Sequence, residues 1–118
     1  MNYTEKLINA IKGQSELFLV DSGEFAPFAT HVRANGELTF ISAYSETTNS
    51  EEMYEILLKS AYDDLKDIDI REYAIGLDGK IKDKDVLVVE IILSVEDKYQ
   101  AIYPYTIENG KVTFGDKI

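Results

Sequence analysis

The chain contains no cysteine and no tryptophan, a single histidine, two prolines, and roughly half as many bases as acids. Each shortage removes a class of function. Without cysteine there is no disulfide framework, no thiolate nucleophile and no cysteine-ligated metal. That fits a reducing cytoplasm. One histidine cannot build a histidine-rich metal site, and a zinc site here would have to be unusually rich in carboxylates. Twelve bases against twenty-two acids give a net charge of −10. This charge opposes binding to nucleic acid or to anionic membranes, since both need a basic patch that displaces counterions.

Long apolar runs are also missing. The longest, "VLVVEIILSV", is too short to span a bilayer and contains Glu90. The N-terminal stretch is interrupted by Glu5, Lys6, Lys12 and Glu16, so it does not read as a signal peptide. The expectation is a soluble, cytoplasmic protein. The glycines never approach G-x-x-x-x-G-K-[ST], G-x-G-x-x-G or G-x-S-x-G, which removes the familiar nucleotide-dependent and serine-hydrolase designs. "DGKIKDKD" and "DDLKDID" fail as calcium loops. The first puts lysines at positions three and five, and the second puts Leu65 and Ile68 at positions three and six. No cofactor is expected.

What remains is globular material: 45% hydrophobic and 11% aromatic residues are enough to build a core despite the charge. Residues 1–118 read as one domain, without repeats or linkers. Leu7, Ile8 and Ile11, with Phe18 further along, predict a helix from about Tyr3 to Val20. Gly13 weakens it enough that "LFLV" competes as a strand. Asn35-Gly36 predicts a two-residue type I′ hairpin that pairs Val32 with Thr39, His31 with Phe40 and Thr30 with Ile41. One face of that hairpin would carry Phe28, Thr30, Val32, Thr39 and Ile41, the other His31, Arg33, Leu38, Phe40 and Tyr44.

A second helix follows from a capping box, Thr48-x-x-Glu51, and from the apolar stripe Met53, Ile56, Leu57, Ser60, Ala61 and Leu65, ending near Asp67. Strands are then expected in "REYAIGL", which turns at Asp78-Gly79, in "VLVVEIILSV", and in "YQAIYPYTI". Asn109-Gly110 closes a last hairpin that pairs Glu108 with Lys111, Ile107 with Val112 and Tyr105 with Phe114. The fold class is therefore α+β: a two-layer sandwich of two helices on one antiparallel sheet, ordered α-β-β-α-β-β-β with a short terminal strand.

Few residues invite a chemical reading. Histidine is the one side chain whose ordinary titration falls near neutral pH, but His31 lacks partners in the sequence and is expected at a surface or sheet rim, without a catalytic role. Glu90 shares a strand face with Val86, Val88 and Ile92. A carboxylate there either finds a base, reaches water or is raised in pKa, which makes Glu90 the candidate for a pocket between helix and sheet. "FAPF" and "YPYT" place proline among aromatics, marking an edge, a strand start or a bulge. Tyr103 and Tyr105 either pack under a helix or form an exposed peptide-binding ledge. The acids cluster: Glu46 to Glu72 holds nine against three bases. This is either a solvated helix face or a docking surface for a basic protein.

Together the hairpin "GEFAPFATHVRANGEL", the acidic helix and the late "YPYTIENGKVTFG" resemble a group of small acidic bacterial proteins without an assigned activity. The resemblance implies a single-domain bacterial protein and carries no catalytic residues. Proteins of this size and charge include immunity proteins that neutralise toxins, an analogy at the level of class. The expected function is a non-catalytic binding module for a protein partner, one with a basic surface, using Glu51, Glu52, Glu55 and Asp63 or Tyr103 and Tyr105. The alternatives are an immunity-type toxin inhibitor, or a ligand-binding or enzymatic sandwich with its pocket at Glu90. Homodimerisation is compatible with any of these.

Overall fold

The computed structural model describes residues 2–42 and 49–118. Eight elements run in the order α1 (Tyr3–Ser22), β1 (Phe28–Arg33), β2 (Leu38–Ser42), α2 (Ser50–Asp64), β3 (Ile70–Ile81), β4 (Lys84–Ile92), β5 (Lys98–Glu108) and β6 (Lys111–Phe114). The strands form one antiparallel sheet, ordered β2-β1-β3-β4-β5-β6.

α1 runs straight through "LFLV". Leu7, Ile11, Ser15 and Leu19 recur every four residues and are all buried, so one continuous stripe holds the helix on the sheet. Gly13 lies on the exposed side, where it costs about 1 kcal/mol of helix propensity and no packing. The Asn2 side chain accepts from the Glu5 N–H at 2.8 Å. At the other end Gly23, in the left-handed region at φ 76°, donates to the Leu19 carbonyl. Both helix ends are thereby closed by their own sequence.

The Asn-Gly hairpins behave differently from one another. At Asn109-Gly110 both residues take positive φ, 54° and 74°, and the expected register follows from Tyr105↔Phe114 to Glu108↔Lys111. At Asn35-Gly36 only Gly36 does so, at φ 89°. The Asn35 side chain instead accepts from the Glu37 N–H at 2.9 Å. The loop gains a residue, with Arg33 donating to the Glu37 carbonyl and Gly36 to that of Arg33, which is the three-residue turn with a bulge. The register therefore shifts by one from the sequence reading, to Val32↔Leu38, His31↔Thr39 and Thr30↔Phe40. With a period of two, that shift moves every β2 side chain to the other face. The placement of Tyr44 on this hairpin falls outside the described residues.

The turn expected at Asp78-Gly79 is also overturned. Both residues lie inside β3, where Gly79 faces Val86, and the chain reverses at Lys82 and Asp83 with φ 51° and 66°. Lys80 opposite Asp85, with Nζ 3.9 Å from the carboxylate, keeps the charged "KIKDKD" paired across the strands instead of looped out. The expected Thr48 cap lies outside the described residues. The observed cap of α2 is Asn49, whose side chain accepts from the N–H groups of Glu51 and Glu52.

Alternation along the strands sends two side-chain sets to opposite faces. Phe28, Val32, Ala74, Leu87, Val89, Ile91, Ala101, Tyr103 and Tyr105 pack with Leu7, Ile11 and Leu19 of α1. Ala29, Tyr73, Ile75 and Ile92 pack with Leu57 and Ala61 of α2. The α+β class, the two helices and the antiparallel sheet stand as expected. The two-layer description is refined, because the helices cover different faces and the larger core lies under α1. None of the described helices is long and apolar enough to cross a membrane.

Candidate functional site

α2 has two sides, and each contains residues the sequence singled out. On the outside, Glu51, Glu52, Glu55 and Asp63 are all exposed. Asp63 is engaged by Lys66, three residues on, at 3.3 Å. Arg33 takes up two more acids of the same stretch, Asp69 at 2.9 Å and Asp67 at 3.9 Å. The Asp69 hydrogen bond, and then the charges of both carboxylates, hold the Arg33 guanidinium above its ordinary pKa. Glu51, Glu52 and Glu55 have no ion pair among the described residues. Glu51 and Glu55 stand one turn apart, a like-charge spacing that costs a helix about 0.2–0.5 kcal/mol. Within this stretch, Glu51, Glu52 and Glu55 on the first turns of α2 are left without an ion pair among the described residues, whereas Asp63, Asp67 and Asp69 are engaged.

On the inside the chemistry is different. His31, expected at a rim, is 5% exposed on the second strand of the sheet. That placement follows from β1 being flanked by β2 and β3 and covered by α2. Its Nδ1 lies 3.5 Å from Asp64 of α2, and its ring centroid is 6.0 Å from that of Tyr73, its partner across the strands. Glu90 is also 5% exposed, on the same face of β4. Among the described residues both His31 ring nitrogens, the Tyr73 hydroxyl and Glu90 Oε2 are buried without a hydrogen-bond partner. Each such group costs about 1–3 kcal/mol of unreturned desolvation. Burial pushes the Tyr73 hydroxyl up to about 12, and the Ser60 hydroxyl of α2, which approaches it short of hydrogen-bond geometry, opposes the shift. Tyr54 of α2 is raised first by burial and then by the Glu90 carboxylate beside it. At the edge of this layer the Lys98 ammonium donates to the Tyr62 hydroxyl at 2.8 Å.

The tyrosine ledge is not present in the fold. Tyr103 and Tyr105 are buried on the α1 side, at 8% and 5% exposure. Lys12 of α1 sits over the Tyr103 ring, 3.8 Å from its centroid, and the Tyr105 hydroxyl donates to Asp78 Oδ1 at 2.6 Å. These tyrosines pack under a helix, and β5 gains β6 along its second half.

Two recesses were not foreseen. One, of about 290 Å³, lies near the end of α1 and is lined by Phe18, Phe25, Pro27, Phe28 and Met53. "FAPF" was its only signal in the sequence. The other, of about 380 Å³, gathers Glu24, Asp78, Asp85, Lys80 and Tyr105. Burial raises the Asp78 carboxyl, and hydrogen bonds from Tyr105 and the Phe25 backbone partly oppose it. Neither recess reaches Glu90. No group of three or more histidine, aspartate or glutamate side chains able to hold a metal occurs among the described residues.

Comparison with protein-family models, with curated proteins and with solved structures gives no match. The functional reading therefore rests on the geometry of this chain alone.

Proposed function

We propose that this is a non-catalytic cytoplasmic binding module that holds a basic protein partner on the outer face of α2. The observation that carries the reading is the exposed set Glu51, Glu52 and Glu55, unpaired by any described residue. Asp63 and its Lys66 partner continue that face. A basic surface laid along it would relieve the like-charge repulsion within the helix, and the net charge of −10 would draw it in from a distance. Tyr103 and Tyr105 drop out of the contact surface because they are buried. A toxin-neutralising role is the most specific form of this reading.

Affinity capture with the intact chain and with an E51K/E52K/E55K variant tests it. Raising ionic strength from about 0.1 M to about 1 M shortens the screening length from roughly 10 Å to roughly 3 Å. A basic protein should be retained by the native chain at low salt, be released at high salt, and fail to bind the variant. Capture that survives both changes would remove α2 as the contact face. A second reading places a small-molecule site at Glu90. It draws on one observation, the buried carboxylate oxygen left without a partner.

A further inference from the structure

The two faces of the sheet differ in how completely their buried polar groups are satisfied. Under α1, the Ser15 hydroxyl donates to the Ile11 carbonyl at 2.6 Å and the Thr30 hydroxyl to the Thr39 carbonyl at 2.9 Å. Glu72 accepts from Thr4, and Tyr105 donates to Asp78. Under α2, His31, Tyr73 and Glu90 occupy three adjacent strands, and each leaves at least one buried polar atom unpartnered. The covers differ too. α1 sinks four residues fully into its face, whereas α2 sinks only Leu57 and Ala61.

From this asymmetry we propose that α2 is a releasable cover, lifting from the sheet as one unit while α1 and the sheet stay folded. Lifting α2 costs the burial of Leu57, Ala61 and the apolar sheet residues beneath them, together with the Lys98–Tyr62 hydrogen bond and the contacts of Tyr54 with Glu90 and Asp64 with His31. In return it rehydrates the His31 ring nitrogens, the Tyr73 hydroxyl and Glu90 Oε2 together, so the opening is cooperative. Lifting α1 would instead expose four fully buried residues and break the hydrogen bonds that Thr4 and Tyr3 make to Glu72 and to the Ala34 carbonyl. α1 is therefore the fixed layer. Lifting would bare a mixed surface of His31, Tyr73, Glu90, Ile75 and Ile92 on an intact sheet. The proposal stands whether or not the outer face of α2 meets a partner.

Native-state hydrogen exchange of the full chain, read by mass spectrometry, tests it. The amides of α2 should exchange with one common protection factor, at least about tenfold below that of β3 and β4. Tyr73→Phe removes one unpartnered hydroxyl from the closed state and should slow α2 exchange about tenfold, the equivalent of a typical orphaned group. Thr30→Val, on the opposite face, should not slow it. Three results would overturn the proposal: α2 protection equal to that of β3 and β4, protection graded inward from the helix ends as in simple fraying, or no slowing in Tyr73→Phe.

Discussion

Gly76 and Gly79 sit three residues apart in β3, on opposite faces of the sheet, and the same substitution at each should have opposite effects. A Cβ at Gly76 would lie 2.9 Å from Ile11 Cγ2 and 3.0 Å and 3.1 Å from two ring atoms of Phe28. Neither neighbour can yield cheaply. Ile11 is fully buried in the α1 stripe and β-branched, and Phe28 is locked between Phe18 and Phe25 at centroid distances of 5.4 Å and 5.6 Å. At Gly79 the nearest atoms are 3.7 Å and 3.8 Å away, on Val86 and Val88, which is ordinary packing distance. Replacing glycine where the backbone tolerates it stabilises by about 0.4–1 kcal/mol through the unfolded state, whereas overpacking a tight core costs about 1–3 kcal/mol. Gly76→Ala should therefore lose about 1–2 kcal/mol net, and Gly79→Ala should gain up to about 1 kcal/mol. In urea denaturation, with a slope near 2 kcal/mol/M, the first midpoint should fall by roughly 0.5–1 M and the second should hold or rise. In a double-mutant cycle, Ile11→Ala should offset part of the Gly76→Ala loss, since it removes the obstructing methyl. Equal midpoints for the two single variants would refute the reasoning, because the crowding of Gly76 by Ile11 and Phe28 is the difference on which it rests.

Two further predictions concern carboxylates. Burial raises the Asp78 carboxyl above its ordinary value, so the folded state binds that proton more tightly than the unfolded chain. Its contribution is then fully present below the ordinary carboxylate range and is lost as pH rises through the raised value. Asp78→Asn should accordingly be more stable than the native chain at pH 7, with the difference in urea midpoint closing toward pH 4. A difference independent of pH would contradict it. If Glu90 receives a ligand, small amines and guanidines used as thermal-shift probes should include compounds that stabilise the native chain and not Glu90→Gln. A panel in which no compound separates the two would end that reading.

The parts of this fold legible in the sequence are those fixed within a few residues. The α1 helix is local, since Leu7 and Ile11 lie on one side of a helix wherever it docks, but Ser15 and Leu19, not Phe18, complete the buried stripe. The Asn109-Gly110 hairpin is local too, because both residues accept the positive φ that a two-residue turn demands. The acidic outer face of α2 is readable for the same reason: the apolar stripe that turns inward also determines which residues turn out.

Other features depended on choices made across the sheet. At Asn35-Gly36 a side-chain hydrogen bond to Glu37 competed with the left-handed backbone, and one extra loop residue reversed both faces of β2. Asp78-Gly79 looks like a turn in sequence, yet the ladder between β3 and β4 continues past it. Nothing near His31 in the chain says that β1 will lie second in the sheet, or that α2 will place Asp64 above it. Tyr103 and Tyr105 were open to either side until α1 took their face. A strand specifies which residues share a face, because side chains alternate. Which face is covered, and by which helix, is decided only when elements distant in sequence come together, because that is where the apolar area is buried and the polar groups are paired or orphaned.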